Sequence, residues 1–204
     1  MMTVYKIIKR VGDIFGSLVA LIIFSPVTIV IAIMIKKEDG GPILFKQQRV
    51  GRNGRLFEMW KFRSMVVNAH SLKMELLEMN EAGGPTFKIK NDPRVTKIGR
   101  FIRQHSLDEI PQFVNVFLGD MSLVGPRPGL PEEVAAYSPK DARRLIILPG
   151  LTGLWQVSGR NNLSYQQMIK LDLWYVENRN VFLDVKILFK TFIQMFNTKD
   201  NGAF

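Results

Sequence analysis

Apolar positions are spread very unevenly along this chain. From Ile14 to Ile35, 22 consecutive residues are uncharged and nearly all apolar (IFGSLVALIIFSPVTIVIAIMI). A bilayer core of about 30 Å takes roughly 20 such residues as a helix, so the stretch reads as a membrane segment. A signal peptide would have a shorter apolar region followed by a small-residue cleavage site, whereas Lys36-Lys37-Glu38-Asp39 follows here. Ser25-Pro26 falls at the midpoint. Proline removes a backbone donor and crowds the preceding turn, which predicts a sharp kink there, with the Ser25 hydroxyl one candidate partner for the freed carbonyls. Each half then has about 11 residues, roughly 16 Å of helix, or half the core thickness. Cations flank both sides: Lys6, Lys9 and Arg10 before, and Lys36, Lys37, Lys46 and Arg49 after. Positive flanks favour the cytoplasm, so a re-entrant helix–break–helix that enters and leaves by one face fits better than a kinked single span, which stays open. The chain divides into this membrane element, residues 1–38, and a folded domain, residues 39–204.

Beyond it the pattern shortens. Pro42 to Val50 and Arg55 to Arg63 flank Gly51-Arg52-Asn53-Gly54, and Asn-Gly in a tight turn predicts a hairpin. Ser64 to about Asn80 places Met65, Leu72, Leu76 and Met79 at roughly helical spacing, and Glu81 to Pro85 reads as a loop. Val95 to Gln104 sets Val95, Ile98 and Ile102 against Arg94, Lys97, Arg100 and Arg103 on opposite helix faces. A further helix runs from near Pro111 to Leu118 and stops at Gly119; Ser122–Pro131 and Leu148–Arg160 read as loops. Helices over about Ser164–Glu177 and Asp184–Asn197 close the chain. The last carries Lys186, Lys190 and Gln194 every four residues with apolar side chains around most of its circumference; it fits a bilayer interface and a buried core equally. The fold class is therefore α+β, mainly helical, without the βαβ rhythm of a doubly wound nucleotide-binding sheet.

A net charge of +10 and a pI near 9.9 call for a polyanionic partner: nucleic acid, anionic lipid or a phosphorylated substrate. The basic hairpin (Lys46, Arg49, Arg52, Arg55, Lys61, Arg63) is tethered within a few residues of the membrane segment. Anionic membrane lipid is thus the favoured partner over nucleic acid, each cation contributing on the order of 1 kcal/mol. Cysteine is absent and the two histidines are His70 and His105, which excludes disulfides and makes a zinc site improbable.

Two carboxylates are adjacent in Ser106-Leu107-Asp108-Glu109-Ile110-Pro111. S-x-x-E is also a capping box, and acids near a helix start are commonplace. If the helix that Pro111 begins starts at or soon after the pair, its dipole and the nearby Arg103 keep Asp108 ionised, as a nucleophile or Mg²⁺ ligand requires. Arg127, between Pro126 and Pro128, sits on a stiffened backbone suited to an oxyanion, and Arg160 ends Val157-Ser158-Gly159-Arg160. Either arginine alone would equally suit a solvent-exposed loop.

These segments, in order, resemble the monotopic phosphoglycosyl transferases, the bacterial sugar transferases that start exopolysaccharide, O-antigen and glycoprotein glycan assembly. The resemblance is carried by Lys9-Arg10 with Asp13, Ser25-Pro26, Phe45-Lys46-Gln47-Gln48-Arg49-Val50-Gly51, Lys61-Phe62-Arg63-Ser64-Met65 and Asp92-Pro93-Arg94-Val95-Thr96. It continues through Ser106-Leu107-Asp108-Glu109, Gly119 to Pro128, Pro149 to Gly153, Val157 to Arg160 and Leu183 to Lys186. It implies a re-entrant helix in the bacterial inner membrane and a catalytic domain on the cytoplasmic face. It also implies the transfer of a sugar-1-phosphate from a UDP-sugar to undecaprenyl phosphate, with Mg²⁺. In that scheme Asp108 attacks the β-phosphorus and binds the metal, UMP leaves, and Glu109 assists. Arg103, Arg127, Arg160 and Lys61 hold phosphate, and Asp184 matches a position of weakly assigned role. The resemblance also implies the minimal catalytic form, without the extra spans of larger relatives; Asn68–Phe87 is its least typical part. A non-catalytic, membrane-anchored basic scaffold is the competing function. The sugar, the polymer and the oligomeric state, a homodimer included, stay open.

Overall fold

The computed structural model describes residues 2–76, 89, 91–159 and 162–196. The chain is mixed α/β and mostly helical. Its first element is one helix, α1, Met2–Asp39, that runs through Pro26 where the sequence predicts a break. The reason is local. A proline at 26 cannot donate to the carbonyl of Ile22, and the Ser25 hydroxyl donates to that oxygen instead, at 2.8 Å. Among the described residues α1 is the helix long and apolar enough to cross a membrane. Phe15, Ile22, Ile23, Ile29 and Val30 stand exposed along it.

Both arms of α1 are fastened to the same domain. On the first arm, the Asp184 carboxylate accepts from Tyr5 Oη (3.0 Å), Lys9 Nζ (2.9 Å) and Tyr175 Oη (2.6 Å). Arg10 donates to the carbonyls of Val116 and Phe117, and Asp13 accepts from Ser122 Oγ and Leu123 N. On the second arm, Ile31 and Ile35 pack with Phe62, Ile102 and Ile110 in one hydrophobic core. There the Arg63 guanidinium grips both oxygens of Asp39. Glu38 accepts from Lys97 N and Ile98 N, placing a carboxylate at the start of a later helix where unpaired N–H groups gather.

Strands β1 (Leu44–Val50) and β2 (Leu56–Phe62) form the expected antiparallel hairpin, in register from Leu44 opposite Phe62 to Val50 opposite Leu56. Its turn takes the positive φ that Asn-Gly predicts, 57° at Asn53 and 79° at Gly54. Helix α2 covers Ala69–Glu75, shorter than the predicted 64–80; the Glu81–Pro85 loop lies outside the described residues. Helices α3 (Lys97–Gln104, capped by Thr96) and α4 (Gln112–Leu118, ended at Gly119) follow. The two segments expected to be loops hold more order. Ser122–Val124 (β3) and Gly150–Thr152 (β4) pair in parallel, and α5 (Pro131–Ala135) lies between them. Three-residue strands are too short for any periodicity to announce them.

Helices α6 (Tyr165–Asn178) and α7 (Val181–Phe196) close the described chain, α6 opening with a capping box formed by Ser164 and Gln167. Along α7, Ile187 and Asp184 are buried while Phe182, Val185, Phe189 and Ile193 are exposed. The buried-core alternative for this helix therefore falls. Its apolar side faces outward, as an interfacial helix requires.

Asp184 is the test of this arrangement. Replacing it by Ala leaves the Lys9 ammonium largely buried without its carboxylate, only the Tyr175 hydroxyl remaining at 3.4 Å, and the folded form should lose roughly 3 kcal/mol. The check is denaturant unfolding in detergent, with Lys186→Ala on the exposed side of the same helix as the neutral control.

Candidate active site

Asp108 and Glu109 lie in a single 3₁₀ turn, Leu107–Glu109, between α3 and α4. The capping box that their spacing allows does not form. Ser106 sits in the left-handed region at φ 55°, its side chain caps nothing, and the helix starts only at Gln112. Neither carboxylate is consumed as a cap. The helix starts soon after the pair, with Pro111 preceding its first residue, and the cations around Asp108, Lys61 and Arg103 among them, oppose the effect of its burial.

Three pieces of packing bring partners to this turn. α3 lies so close to residue 64 that a Cβ on Gly99 would fall 1.9 Å from the Ser64 carbonyl oxygen, so only glycine fits there. That approach lets Arg103 Nε donate to Ser64 Oγ at 2.8 Å, with the guanidinium beside Asp108. Asn115 of α4 is fully buried against β2. Its amide accepts from Trp60 N at 3.0 Å and donates to the Glu58 carbonyl at 2.7 Å, imitating a neighbouring strand. With α4 locked to β2 in this way, Lys61 Nζ reaches Glu109 Oε1 at 3.2 Å. The third is the Pro126–Pro128 loop after β3, which brings Arg127 Nη1 to the same oxygen at 3.4 Å.

The two neighbouring acids are thus in different states. Burial works against the charge of Glu109, but the Lys61 ammonium and the Arg127 guanidinium outweigh it and hold its carboxyl well below the usual range. Asp108 makes no hydrogen bond or ion pair among the described residues. Burial pushes its carboxyl up, the Lys61 ammonium opposes this, and the adjacent Glu109 charge adds to it. Burial also lowers the Lys61 ammonium, against the pull of Glu109. Arg49 was read from sequence as part of a headgroup-facing surface. It turns inward instead, donating from Nη1 to the Pro128 carbonyl (3.0 Å) and from Nε and Nη2 to Gln47 Oε1. Arg63 likewise is buried on Asp39, and Lys46 pairs with Glu58.

The donor set fits Mg²⁺. Glu109 is engaged and Asp108 is free, and among the described residues no three His, Cys, Asp or Glu side chains cluster to hold an ion. One carboxylate, with substrate phosphates and waters completing the sphere, is this ion's usual mode, whereas zinc or calcium would need a fuller protein cage.

Of the residues singled out from sequence, Asp108, Glu109, Lys61, Arg103 and Arg127 come together at this turn. Arg160 lies outside the described residues. Asp184 is away from the site, serving α1. Sequence reasoning passed over Ser64, Asn115 and the inward role of Arg49. The Asn115 signal was an amide in the middle of an otherwise apolar run, FVNVFL.

A family model described as bacterial sugar transferase matches residues 4–198. The chain is 50% identical over 188 residues to the galactosyl transferase CpsE of Streptococcus agalactiae, covering 92% of this chain and 42% of that one. It is 48% identical over 190 residues to the undecaprenyl-phosphate galactose phosphotransferase of Salmonella typhimurium, covering 91% and 40%. It is 42% identical over 187 residues to the exopolysaccharide production protein ExoY of Rhizobium meliloti, covering 90% and 83%. The chain thus spans less than half the length of the first two relatives and most of the third. With the family model matching nearly its whole length, the chain belongs to the bacterial sugar transferase family.

Proposed function

We propose that the chain transfers a sugar-1-phosphate from a UDP-sugar to undecaprenyl phosphate, in two displacements through Asp108. One observation carries the reading. Of two adjacent carboxylates, Glu109 is tied to Lys61 and Arg127 while Asp108 is left unbonded among them. A largely buried carboxylate without hydrogen bonds from the protein, beside cations that recruit phosphate, is a nucleophile in waiting.

In the first displacement an Asp108 oxygen bonds to the β-phosphorus of the UDP-sugar, and the bond from that phosphorus to the bridging oxygen breaks. UMP departs with the electron pair. In the second, a phosphate oxygen of undecaprenyl phosphate bonds to the same phosphorus and the aspartyl oxygen leaves, restoring the carboxylate and forming the lipid diphosphate sugar. Arg127 and Lys61 offset the charge of the transferring group, and Arg103 lies where it can do the same for an oxygen near Asp108. Glu109, held well down by its two cations, is a poor base; its part is to hold Lys61 and Arg127 at the distance a phosphate needs. Mg²⁺ bound through Asp108 would supply further charge neutralisation on the diphosphate.

The same reading places α1 as a re-entrant element on the cytoplasmic face of the inner membrane. Its support is that Lys9 and Arg10 at one end and Glu38 and Asp39 at the other bond to one polar domain. A spanning helix would set those ends on opposite sides of a hydrocarbon core about 30 Å thick. The exposed apolar faces of α1 and α7 supply surface for the acyl region, with residues 2–196 lying against the membrane rather than through it.

Two sets of measurements test the proposal. With a panel of UDP-sugars, undecaprenyl phosphate and Mg²⁺, the chain should release UMP and carry a phosphosugar mass on Asp108. Asp108→Asn should lose at least about 1,000-fold in turnover, and a full-rate Asp108→Asn enzyme would sink the mechanism. In EDTA the two neutral isosteres should separate by stability. Asp108→Asn should unfold no more easily than the parent, because burial penalises the charge it removes, while Glu109→Gln should cost roughly 1–3 kcal/mol by stranding Lys61 and Arg127. For topology, single cysteines at residues 2 and 40 should react with an impermeant thiol reagent from the same side of sealed vesicles. Labelling from opposite sides would establish a span.

A further inference from the structure

We propose that Arg144 is a positioning residue for Arg127: buried on Asp172 and Tyr137, it fixes the Arg127 backbone and so aims that guanidinium at Glu109 and at bound phosphate. The inference rests on the transfer reading above, in which Arg127 holds the diphosphate.

The loop Pro126-Arg127-Pro128-Gly129 has two prolines, so half of its residues offer no N–H and its backbone is held here through its carbonyls. All four carbonyls are taken, each by a donor from elsewhere. Pro126 O accepts from Gly150 N at 2.8 Å and Gly129 O from Val50 N at 3.0 Å. Pro128 O accepts from Arg49 Nη1 at 3.0 Å, and Arg127 O from Arg144 Nη2 at 3.1 Å. The carbonyl of the functional residue itself is therefore held by Arg144 alone, 17 positions away in sequence.

Arg144 is suited to this and to little else. Its Nη2 also donates to Asp172 Oδ2, and its Nη1 donates to Tyr137 Oη at 2.8 Å, so one plane joins three segments. It makes no bond to Asp108 or Glu109 among the described residues, so any effect on the chemistry passes through Arg127. As a stabilising device the pair is poor. Asp172 is fully buried in the middle of α6 and its Oδ1 has no partner. A buried ion pair with an orphan oxygen contributes little net stability, and an apolar pair of the same volume would serve as well or better. What apolar residues or a lysine cannot do is bridge three acceptors in a fixed fork. Next to it, the exposed pair Arg143–Glu177 joins the same turn to the same helix without touching the loop, and it provides the control.

The experiment is steady-state kinetics of the full chain in detergent, with Mg²⁺, undecaprenyl phosphate and the UDP-sugar that the parent uses, across a double-mutant cycle. Arg144→Lys keeps a cation on Asp172 but loses the bridge. It should melt within a few degrees of the parent and lose on the order of 10- to 100-fold in kcat/KM, while Arg143→Ala changes neither quantity. In an Arg127→Ala background, Arg144→Lys should cost less than about 2-fold more, because the residue it positions is gone. Parent-like kcat/KM in a folded Arg144→Lys chain, or losses that multiply in full in the double variant, would overturn the inference. Should Arg144→Lys fail to fold, Tyr137→Phe decides in its place. The inference requires a loss of about 3-fold or more that vanishes in the Arg127→Ala background, and equal losses in both backgrounds refute it. Full activity in Arg127→Ala itself would instead strike at the transfer reading, so the two failures are distinguishable.

Discussion

One carboxylate, Glu109, organises this molecule's chemistry. Its Oε1 accepts from Lys61 of β2 and from Arg127 of the loop after β3, so three segments far apart in sequence meet on a single oxygen. Each cation is costly to bury alone, and so is the anion. Together they hold charge in a place where water is scarce, leaving the neighbouring Asp108 unengaged. The site is a built imbalance: one acid bonded to two cations, the next one near cations but bonded to none of them. Everything that fixes the distance between β2, the 107–109 turn and the arginine loop serves to maintain it.

The packing that does so is mostly polar and mostly indirect. Asn115 clips α4 to β2, Gly99 lets α3 settle on Ser64, and four donors take the four carbonyls of the arginine loop. The hydrophobic clusters supply mass rather than aim. Ile31, Ile35, Phe62, Ile102 and Ile110 fuse the second arm of α1 to β2, to α3 and to the residue just after Glu109. α1 and the 107–109 turn are therefore parts of one core. The long apolar helix thus also forms part of the wall behind the acids.

Much of this was legible in the residues. The hairpin followed from Asn53-Gly54, α3 from its divided faces, the end of α4 from Gly119, and the start of α6 from Ser164. The acidic pair drew notice through its neighbours and the ordered motifs around it. Other features were hidden for identifiable reasons. S-x-x-E at 106–109 has the spacing of a cap, yet Ser106 takes a left-handed conformation, and only backbone geometry reveals that. At Pro26 a single hydroxyl takes up the carbonyl that the proline leaves unpaired, so helical structure runs on through the expected kink. Arg49 and Arg63 looked like a charged surface because strand alternation does not say which charges find buried acceptors. β3 and β4 exist only as a pair formed across the intervening chain, which no local window can contain.

The order of these parts along the chain has a consequence for synthesis. α1 is made before the other elements described here, with Lys9 bearing a charge whose carboxylate partner, Asp184, follows much later. Lys61, Asp108 and Glu109 are also present early, but the arginine loop has no fixed place until Gly150, and then Asp172, have left the ribosome. On the proposed transfer reading, a nascent chain has its nucleophile already made while the arm that would grip phosphate is still slack. Competence arrives late and all at once, when the last two helices dock.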